Sequence, residues 1–276
     1  PQTFRRLLWF AGGSLLMLAL LAVGAGVIVV SSASGLRWHP RTLHRLRQRC
    51  AAIVIRRNQG YDFGSWKAAL KLHRQDIEQA AFLVLTNDSF WGPITPFDDL
   101  FQRLHASTAD VIGLTDNLMY EPHLSSAFIA YKPKALQCQA FGRFWEFLQI
   151  WPRKRELVKN CEVGLPVQLS AAGLKLESLY THNANGNVLH YDWRHLIEQR
   201  GFPFLKVSLL RDNPTRQTVD SWPEVIGRRN PQLAASIKRQ LRPKPGLQQL
   251  LERLRHRLNG SDRKGSHAVM APTSRR

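Results

Sequence analysis

A chain of 276 residues, 44% of them apolar, can bury one substantial core, which excludes a disordered protein and favours one catalytic-sized domain with an appendage. The three cysteines, Cys50, Cys138 and Cys161, lie far apart and indicate neither a zinc site nor a disulfide framework, so a reducing cytoplasm fits best. The formal net charge of +19 points to an anionic partner and makes the distribution of the charge important.

Much of the positive charge lies near the C-terminus. Residues 228–276 contain thirteen Lys and Arg residues and two acidic residues, a surplus of +11. Such a segment suits anionic lipid or RNA, and it can equally be a solvated tail. We expect a domain at 1–222 followed by a basic, helical or disordered appendage at 223–276. The basic residues lack interleaved aromatic side chains, which argues against nucleic acid.

The apolar segment 7–30 contains no charged residue and follows Arg5 and Arg6, as a transmembrane helix would. Alternatively, Gly24 and Gly26 divide it into a buried helix over 4–23 and a strand over 27–30. We favour the divided interpretation, because the segment ends in β-branched residues that are typical of a buried strand. The chain begins without methionine, so we also expect the N-terminal edge of the domain to be incomplete.

Strands and helices alternate along the rest of the domain. Helices are predicted at 40–48, 66–80, 98–105, 140–151 and 163–172, and strands at 51–55, 81–85, 111–114 and 127–131. This alternation predicts an α/β fold with a mainly parallel central sheet flanked by helices. Ligands of such sheets bind at the carboxyl ends of the strands, where the polar segments 58–62 and 87–89 begin.

Asp88 is the best candidate for a metal ligand. It follows the buried strand at 81–85, and Asn87 beside it offers an amide oxygen as a second ligand. Oxygen atoms are the ligands that Mg²⁺ and Mn²⁺ favour, and such an ion could neutralise a departing diphosphate. Alternatively, Asn87 and Asp88 simply cap the next turn.

Asp62 lies in a predicted loop with Gly60 and Gly64, where glycines allow a ligand to approach the backbone closely. Arg56 and Arg57 in the same segment could meet phosphate charge. The alternative is an Asx-turn in which Asp62 or Ser65 caps the next helix.

A transferase that acts on a hydroxyl group needs a general base in the same cleft. Glu162, predicted to open the helix at 163–172, is one candidate, although a glutamate at a helix start also simply favours the helix dipole. Asp116 at another strand end competes for the role. His123, His182 and His190 could contact phosphate or a metal, but isolated histidines are more often structural.

The sequence Arg-Arg-Asn-Gln-Gly-Tyr-Asp-Phe-Gly-Ser-Trp-Lys at 56–67 resembles the signature of the rhamnan synthesis protein F family, bacterial enzymes of rhamnose-containing polysaccharide assembly. The resemblance covers about 27–214. Further segments occur in the order that the family shows: 87–89, 92–94, 113–116, 123–128, 193–197, 201–206 and 209–214.

The resemblance implies a divergent GT-A glycosyltransferase of the inverting type. It implies donor contacts at Asn58, Gly60, Asp62, Asn87 and Asp88, with Asp88 as the metal ligand and Glu162 as the base. Arg57 and His123 join the candidate donor contacts because of their residue type and position. The sequence departs from the pattern at the metal and at the base: 86–88 is not a complete Asp-x-Asp, and no second acid adjoins Glu162. The first strand of the GT-A pattern is also not evident before Phe4.

The resulting hypothesis is transfer of rhamnose from dTDP-rhamnose to a lipid-linked glycan, by a protein peripheral to the cytoplasmic face of the inner membrane. The sugar and the donor follow from the resemblance alone. The alternatives are a nucleic-acid-binding protein that uses the basic appendage, and a scaffold anchored in the membrane by residues 7–30.

Overall fold

The computed structural model of the protein describes residues 7–10, 26–32, 40–118, 121–151, 153–181 and 187–241. The strands are β1 Leu7–Phe10, β2 Gly26–Ser31, β3 Ala52–Ile55, β4 Phe82–Thr86, β5 Phe90–Trp91, β6 Val111–Gly113, β7 Asp116–Asn117, β8 His123–Leu124, β9 Phe128–Tyr131, β10 Leu176–Ser178 and β11 Leu205–Lys206.

The first helices are α1 Pro40–Arg49, α2 Tyr61–Leu72, α3 Arg74–Glu78, α4 Asp98–Ala106, α5 Pro133–Leu136, α6 Gln139–Phe147 and α7 Lys154–Leu157. A π-helical turn at Val158–Val163 joins α7 to α8, and the remaining helices are α8 Gly164–Ala171, α9 Val188–Tyr191, α10 Trp193–Glu198, α11 Val207–Arg211, α12 Trp222–Gly227 and α13 Pro231–Leu241. The predicted α/β class is therefore confirmed.

The central sheet has the strand order β10-β6-β9-β4-β1-β2-β3. β1, β2, β3 and β4 are mutually parallel, as are β6 and β10. β9, however, lies antiparallel between β4 and β6, so the sheet is mixed. The prediction missed this reversal because a buried strand has the same apolar pattern in either direction.

Apolar side chains cover both faces of the sheet. Along β4, Phe82 and Val84 belong to one buried cluster, whereas Leu83 and Leu85 belong to the other, because successive side chains of a strand point to opposite faces. Helix α4 packs its apolar residues into the first cluster, and α2 and α6 pack theirs into the second. The result is a layer of helices on each side of a sheet whose carboxyl edge stays accessible.

The N-terminal prediction was wrong in one respect. Residues Leu7–Phe10, predicted to begin a buried helix, form the strand β1, which pairs with both β2 and β4. The predicted strand over 27–30 is confirmed as β2, and residues 11–25 lie outside the described residues. Among the described residues, no helix is long and apolar enough to cross a membrane.

Two other predictions on local structure need correction. β3 was expected to be buried, but as the edge strand of the sheet it is half-buried and its last residue, Ile55, is exposed. The helix predicted over 66–80 is instead two helices, α2 and α3, and α2 begins five residues earlier, at Tyr61.

The chain forms two compact units, 1–234 and 235–276. The first contains the central sheet and the helix α12, whose side chains Trp222, Val225 and Ile226 are buried. In the second, residues 242–276 lie outside the described residues, so the appendage expected from residue 223 onward stays a prediction.

Candidate active site

The candidate active site lies at the carboxyl edge of β3 and β4. Both strands belong to the parallel group of the sheet, so the segments that follow them leave from the same edge. The segment after β3 starts with Arg56, whose backbone N–H donates to the carbonyl oxygen of Ser31 at 3.0 Å. The segment after β4 starts with Asn87, whose N–H is 3.4 Å from the carbonyl oxygen of Ala127.

Asp62 lies in the first turn of α2, whereas the sequence predicted a loop at this position. Gly60 precedes the helix with a φ of 75°, a left-handed conformation that glycine adopts at little cost. A Cβ atom on Gly64 would overlap the carbonyl oxygen of Gln59. The glycines therefore permit a tight entry into α2, and no side chain caps its first turn, unlike the Asx-turn alternative.

Arg56 stabilises the tight entry into α2 through two hydrogen bonds. Its guanidinium group donates to the carbonyl oxygen of Gln59 at 2.7 Å and to Oγ of Ser65 at 3.1 Å. Arg57 and Asn58, the predicted donor contacts, are both exposed beside it. Arg56 thus has a structural role, and Arg57 is placed on the surface where a ligand phosphate could reach it.

A series of hydrogen bonds connects the two strand-end segments. Lys206 Nζ donates to Ser89 Oγ at 2.9 Å, Ser89 donates through its hydroxyl to Asn87 Oδ1, and Asn87 Nδ2 donates to Asp62 Oδ2 at 2.9 Å. The backbone N–H of Ser89 also donates to Asn87 Oδ1, at 3.1 Å. All side-chain donors point the same way, from the ammonium to the carboxylate, an arrangement in which each bond polarises the next.

The charges in this network shift the pKa values of its two ends. Burial raises the pKa of Asp62; the hydrogen bond from Asn87 opposes this effect, while the negative charge of Asp88 adds to it. Burial lowers the pKa of Lys206 to about 8, although the negative charges of Glu162, Asp62 and Asp88 act in the opposite direction. The site thus holds three carboxylates within electrostatic range of one partly buried ammonium group.

Glu162 lies within the π-helical turn between α7 and α8, not at the start of a helix as predicted. One carboxylate oxygen, Oε1, accepts a hydrogen bond of 3.0 Å from the backbone N–H of Ser126. Ser126 directly precedes Ala127, whose carbonyl oxygen accepts from the hydroxyl of Thr86 at 2.8 Å. The fixed carboxylate is therefore anchored to the backbone beside the end of β4. Single π-turns of this kind often occur at functional sites.

Asp88 is exposed at the rim of the network. Its neighbour Asn87 has an amide oxygen that already accepts two hydrogen bonds from Ser89, so this oxygen is not available to a metal without local rearrangement. In the part of the chain that the structure describes, no group of three or more His, Cys, Asp or Glu side chains could hold a metal ion. The donor set of Asn87 and Asp88 does not fit the metal site expected there, and Mg²⁺ or Mn²⁺ stays a prediction.

Asp116 and His123 lie together on a separate two-stranded ribbon. Asp116 pairs with Leu124, and Asn117 pairs with His123. His123 is buried, with Nδ1 2.6 Å from the carbonyl oxygen of Glu121, and its Nε2 atom has no hydrogen-bond partner among the described residues. The strand β8 of this ribbon packs against the π-helical turn that carries Glu162, but in the described residues no hydrogen bond or ion pair connects Asp116 to the network of Lys206. His182 lies outside the described residues.

The sequence analysis did not single out Lys206, and it included Ser89 in the polar segment 87–89 without giving it a role of its own. Lys206 is far along the chain, at the end of β11, and reaches the site because β11 pairs antiparallel with β5 in the register Lys206↔Phe90. Ser89 immediately precedes β5. The available signal was that both positions fall in the segments 87–89 and 201–206 that resemble the known family.

The comparisons with known proteins agree with that signal. Residues 27–232 match the family described as rhamnan synthesis protein F. A protein of Sinorhizobium fredii named y4gN is 33% identical over 166 residues, which are 58% of this chain and 42% of that protein. The virulence protein VirA of Vibrio anguillarum is 25% identical over 201 residues, covering 60% of this chain and 64% of VirA. The chain thus spans less than two thirds of either relative.

Among solved structures, the glycosyltransferase GlyE of Streptococcus pneumoniae aligns with 80% of this chain and 60% of its own, at 12% identity and a TM-score of 0.41. S. aureus TarS 1–349 in complex with UDP aligns with 84% of this chain and 82% of its own, at 12% identity and a TM-score of 0.39. Both likenesses are remote, and neither assigns an activity.

Proposed function

This chain belongs to the rhamnan synthesis protein F family, and from that premise we propose that it is a glycosyltransferase of polysaccharide assembly. The donor is a nucleotide sugar, with dTDP-rhamnose as the first candidate, and the acceptor is a growing lipid-linked glycan. The observation that carries this proposal is the hydrogen-bonded network from Lys206 to Asp62 at the carboxyl edge of the sheet, beside the anchored carboxylate of Glu162.

The proposed reaction is a direct displacement with inversion. The acceptor hydroxyl oxygen forms a bond to the anomeric carbon of the donor sugar while the bond from that carbon to the diphosphate oxygen breaks. The electron pair of the broken bond leaves with the diphosphate, and Glu162 takes the hydroxyl proton. Glu162 suits this role because its carboxylate has one oxygen fixed by the N–H of Ser126, which orients the group as a base requires.

Asp62 is proposed to position the donor rather than to accept a proton. Its side chain is held by Asn87, and its position in the first turn of α2 keeps it next to the backbone N–H groups of the helix start. Free N–H groups at a helix N-terminus attract the phosphate groups of a ligand. Arg57 and Asn58, exposed just before this turn, are proposed to contact the same donor.

The location proposed for the protein is the cytoplasmic surface of the inner membrane. The surplus of +11 in residues 228–276 supports attraction to anionic lipid, to which each cation near the surface contributes roughly 1 kcal/mol. Sedimentation with vesicles containing anionic lipid tests this. Binding that is equal for neutral vesicles, or unchanged when 242–276 are removed, would contradict it.

A donor screen by thermal unfolding tests the proposed activity. A nucleotide sugar that binds the folded state alone stabilises the protein by about 2.7 kcal/mol at a hundredfold excess over its Kd. We expect a shift with dTDP-rhamnose or another nucleotide sugar, and a smaller shift for Asn87→Ala. If no nucleotide or nucleotide sugar raises the melting temperature, with or without Mn²⁺, the proposal fails.

A further inference from the structure

Lys206 is a partly buried cation that makes no direct ion pair with any residue the structure describes. In the described part of the chain, its ammonium group has one hydrogen bond, to Ser89 Oγ, and no carboxylate lies within ion-pair distance. The charges of Glu162, Asp62 and Asp88 reach it from farther away. Charged groups that lose water normally gain a close counter-charge, so this position suits an anionic ligand.

The ammonium group of Lys206 can donate further hydrogen bonds to such a ligand. An ammonium group has three N–H donors, and the described residues use one of them. The register of β11 and β5 places Nζ 5.0 Å from the ring centroid of Phe90, a contact that favours the charged form. Ser89 and the aromatic ring thus fix the ammonium group at the carboxyl edge of the sheet while two donors remain for a ligand.

We propose that Lys206 binds the diphosphate of the donor and stabilises its charge as it leaves, in place of the divalent metal ion expected at Asp88. This inference rests on the proposed function and assigns a further catalytic residue to it. The ammonium group would donate to a phosphate oxygen with its two remaining N–H groups. Donors fixed before the reaction, where charge develops, require little reorganisation in the transition state.

The balance of the step is unchanged by this assignment. The acceptor oxygen bonds to the anomeric carbon, the bond from that carbon to the diphosphate breaks with its electron pair, and the acceptor proton moves to Glu162. Lys206 keeps its proton throughout. Its hydrogen bonds to the diphosphate of the bound donor become hydrogen bonds to the diphosphate that leaves. In enzymes with a complete carboxylate pair a divalent metal ion supplies the positive charge for this step, whereas the amide oxygen of Asn87 is engaged by Ser89 here.

Calorimetric titration of the protein with dTDP, UDP and inorganic pyrophosphate, first in excess EDTA and then in excess Mn²⁺, tests the inference. We expect the wild type to bind a nucleoside diphosphate in EDTA. Lys206→Gln, which keeps a donor for Ser89, should weaken that binding by about tenfold or more, as expected for loss of a charge-assisted hydrogen bond. Lys206→Arg should retain most of the affinity, since it keeps the charge.

Lys134→Gln is the matched control. Lys134 is an exposed lysine in α5, which follows the antiparallel strand β9 and therefore lies at the opposite edge of the sheet, where it pairs with Asp110 at 2.9 Å. The Lys134→Gln substitution removes one positive charge, as Lys206→Gln does, and should leave the affinity for a nucleoside diphosphate unchanged. Thermal unfolding and circular dichroism show whether each variant is folded. Ser89→Ala keeps the ammonium charge of Lys206 but removes the hydroxyl group that holds it, so this variant should weaken binding less than Lys206→Gln does.

Three outcomes would overturn the inference. The first is wild-type binding that requires Mn²⁺ and is lost in Asp88→Asn, and the second is equal affinity of wild type and a folded Lys206→Gln variant. The second outcome would leave Lys206 as a counter-charge for the surrounding carboxylates. Neither the first nor the second outcome would affect the proposed function. The third, no binding of any nucleoside diphosphate by the wild type in either buffer, would overturn the proposed function as well.

Discussion

The ends of β4 and β6 carry similar polar residues but differ in what the fold places opposite them. After β4, Asn87 forms hydrogen bonds with Asp62 and with Ser89, and Ser89 in turn accepts a hydrogen bond from Lys206. After β6, Asp116 enters a backbone-paired ribbon with β8. An acidic residue at a strand end is therefore not sufficient for a site. The decisive feature is the set of side chains that other parts of the chain bring to that edge.

The largest expected effect concerns the base, and it distinguishes Glu162, which is anchored beside the end of β4, from Asp116 after β6. Glu162→Gln should lower the turnover of sugar transfer by about 10²- to 10⁴-fold, because the amide cannot take the acceptor proton. Donor affinity should change little, since the amide oxygen can still accept from the N–H of Ser126. The measurement is the initial rate of nucleoside diphosphate release at saturating donor.

Asp116→Asn is the matched variant for this comparison. It makes the same change from carboxylate to amide at the end of β6, and its rate should stay within a few fold of the wild type. A large loss in Asp116→Asn together with retained turnover in Glu162→Gln would move the base to the β7–β8 ribbon.

The entry into α2 gives the next effect. Gly64→Ala should lower the free energy of unfolding by about 3 kcal/mol, because its Cβ would overlap the carbonyl oxygen of Gln59 and force the entry apart. Gly142→Ala in α6 is the control, since a Cβ there meets nothing within 4 Å; it should stabilise the protein by about 0.5–1 kcal/mol. Urea unfolding measures both. Equal effects of the two substitutions would show that the close approach at Gly64 is not restrictive.

The network after β4 should also be worth more to stability than the ribbon after β6. Asn87→Ala leaves the carboxylate of Asp62 and the N–H of Ser89 without their partner, so a loss of about 1–3 kcal/mol is expected. Asp116→Ala should change the free energy of unfolding by about 0.5 kcal/mol or less. The comparison fails if the Asp116 substitution is the more destabilising of the two in the same unfolding assay.

The smallest effect is a pH dependence. Burial raises the pKa of Asp62, so the folded protein holds this proton more tightly than the unfolded chain does. The folded state therefore loses stability as the pH rises from the unfolded value of about 3.9 through the raised value. Asp62→Asn removes this loss and should be more stable than the wild type at neutral pH, with the difference vanishing towards pH 4.

Urea unfolding of wild type and Asp62→Asn across that pH range provides the measurement. Asp98→Asn, a change to an exposed carboxylate in the first turn of α4, is the control and should not gain stability at neutral pH. A gap between Asp62→Asn and wild type that widens as the pH falls would contradict the direction assigned to the Asp62 pKa.

The sequence could predict the parts of this molecule that depend on neighbouring residues. Apolar runs located β2, β4 and β6, and the family resemblance located the segments that meet at the site. The direction of β9 and the strand at Leu7–Phe10 could not be predicted, because apolar residues pack well in a helix or in a strand of either direction.

The role of Lys206 escaped prediction for a different reason. It lies 117 residues from Ser89 along the chain, and only the pairing of β11 with β5 brings the two together. Glu162 was proposed from the residues and favoured by the resemblance, but its π-helical turn was not predicted, because no local pattern distinguishes such a turn from regular helix. Long-range pairing, rather than residue type, determines which strand end gathers the side chains of the proposed site.

Binding of a nucleotide sugar by the network after β4 is tested most directly by a calorimetric titration with dTDP-rhamnose and then with UDP- and GDP-sugars. We predict that wild type and Asp116→Asn bind the same donor with similar affinity, and that Asn87→Ala binds it at least about tenfold more weakly, because Asp62 and Ser89 lose the residue that positions them. Absence of donor binding by the wild type, or unchanged affinity in a folded Asn87→Ala variant with loss in Asp116→Asn, would contradict the claim.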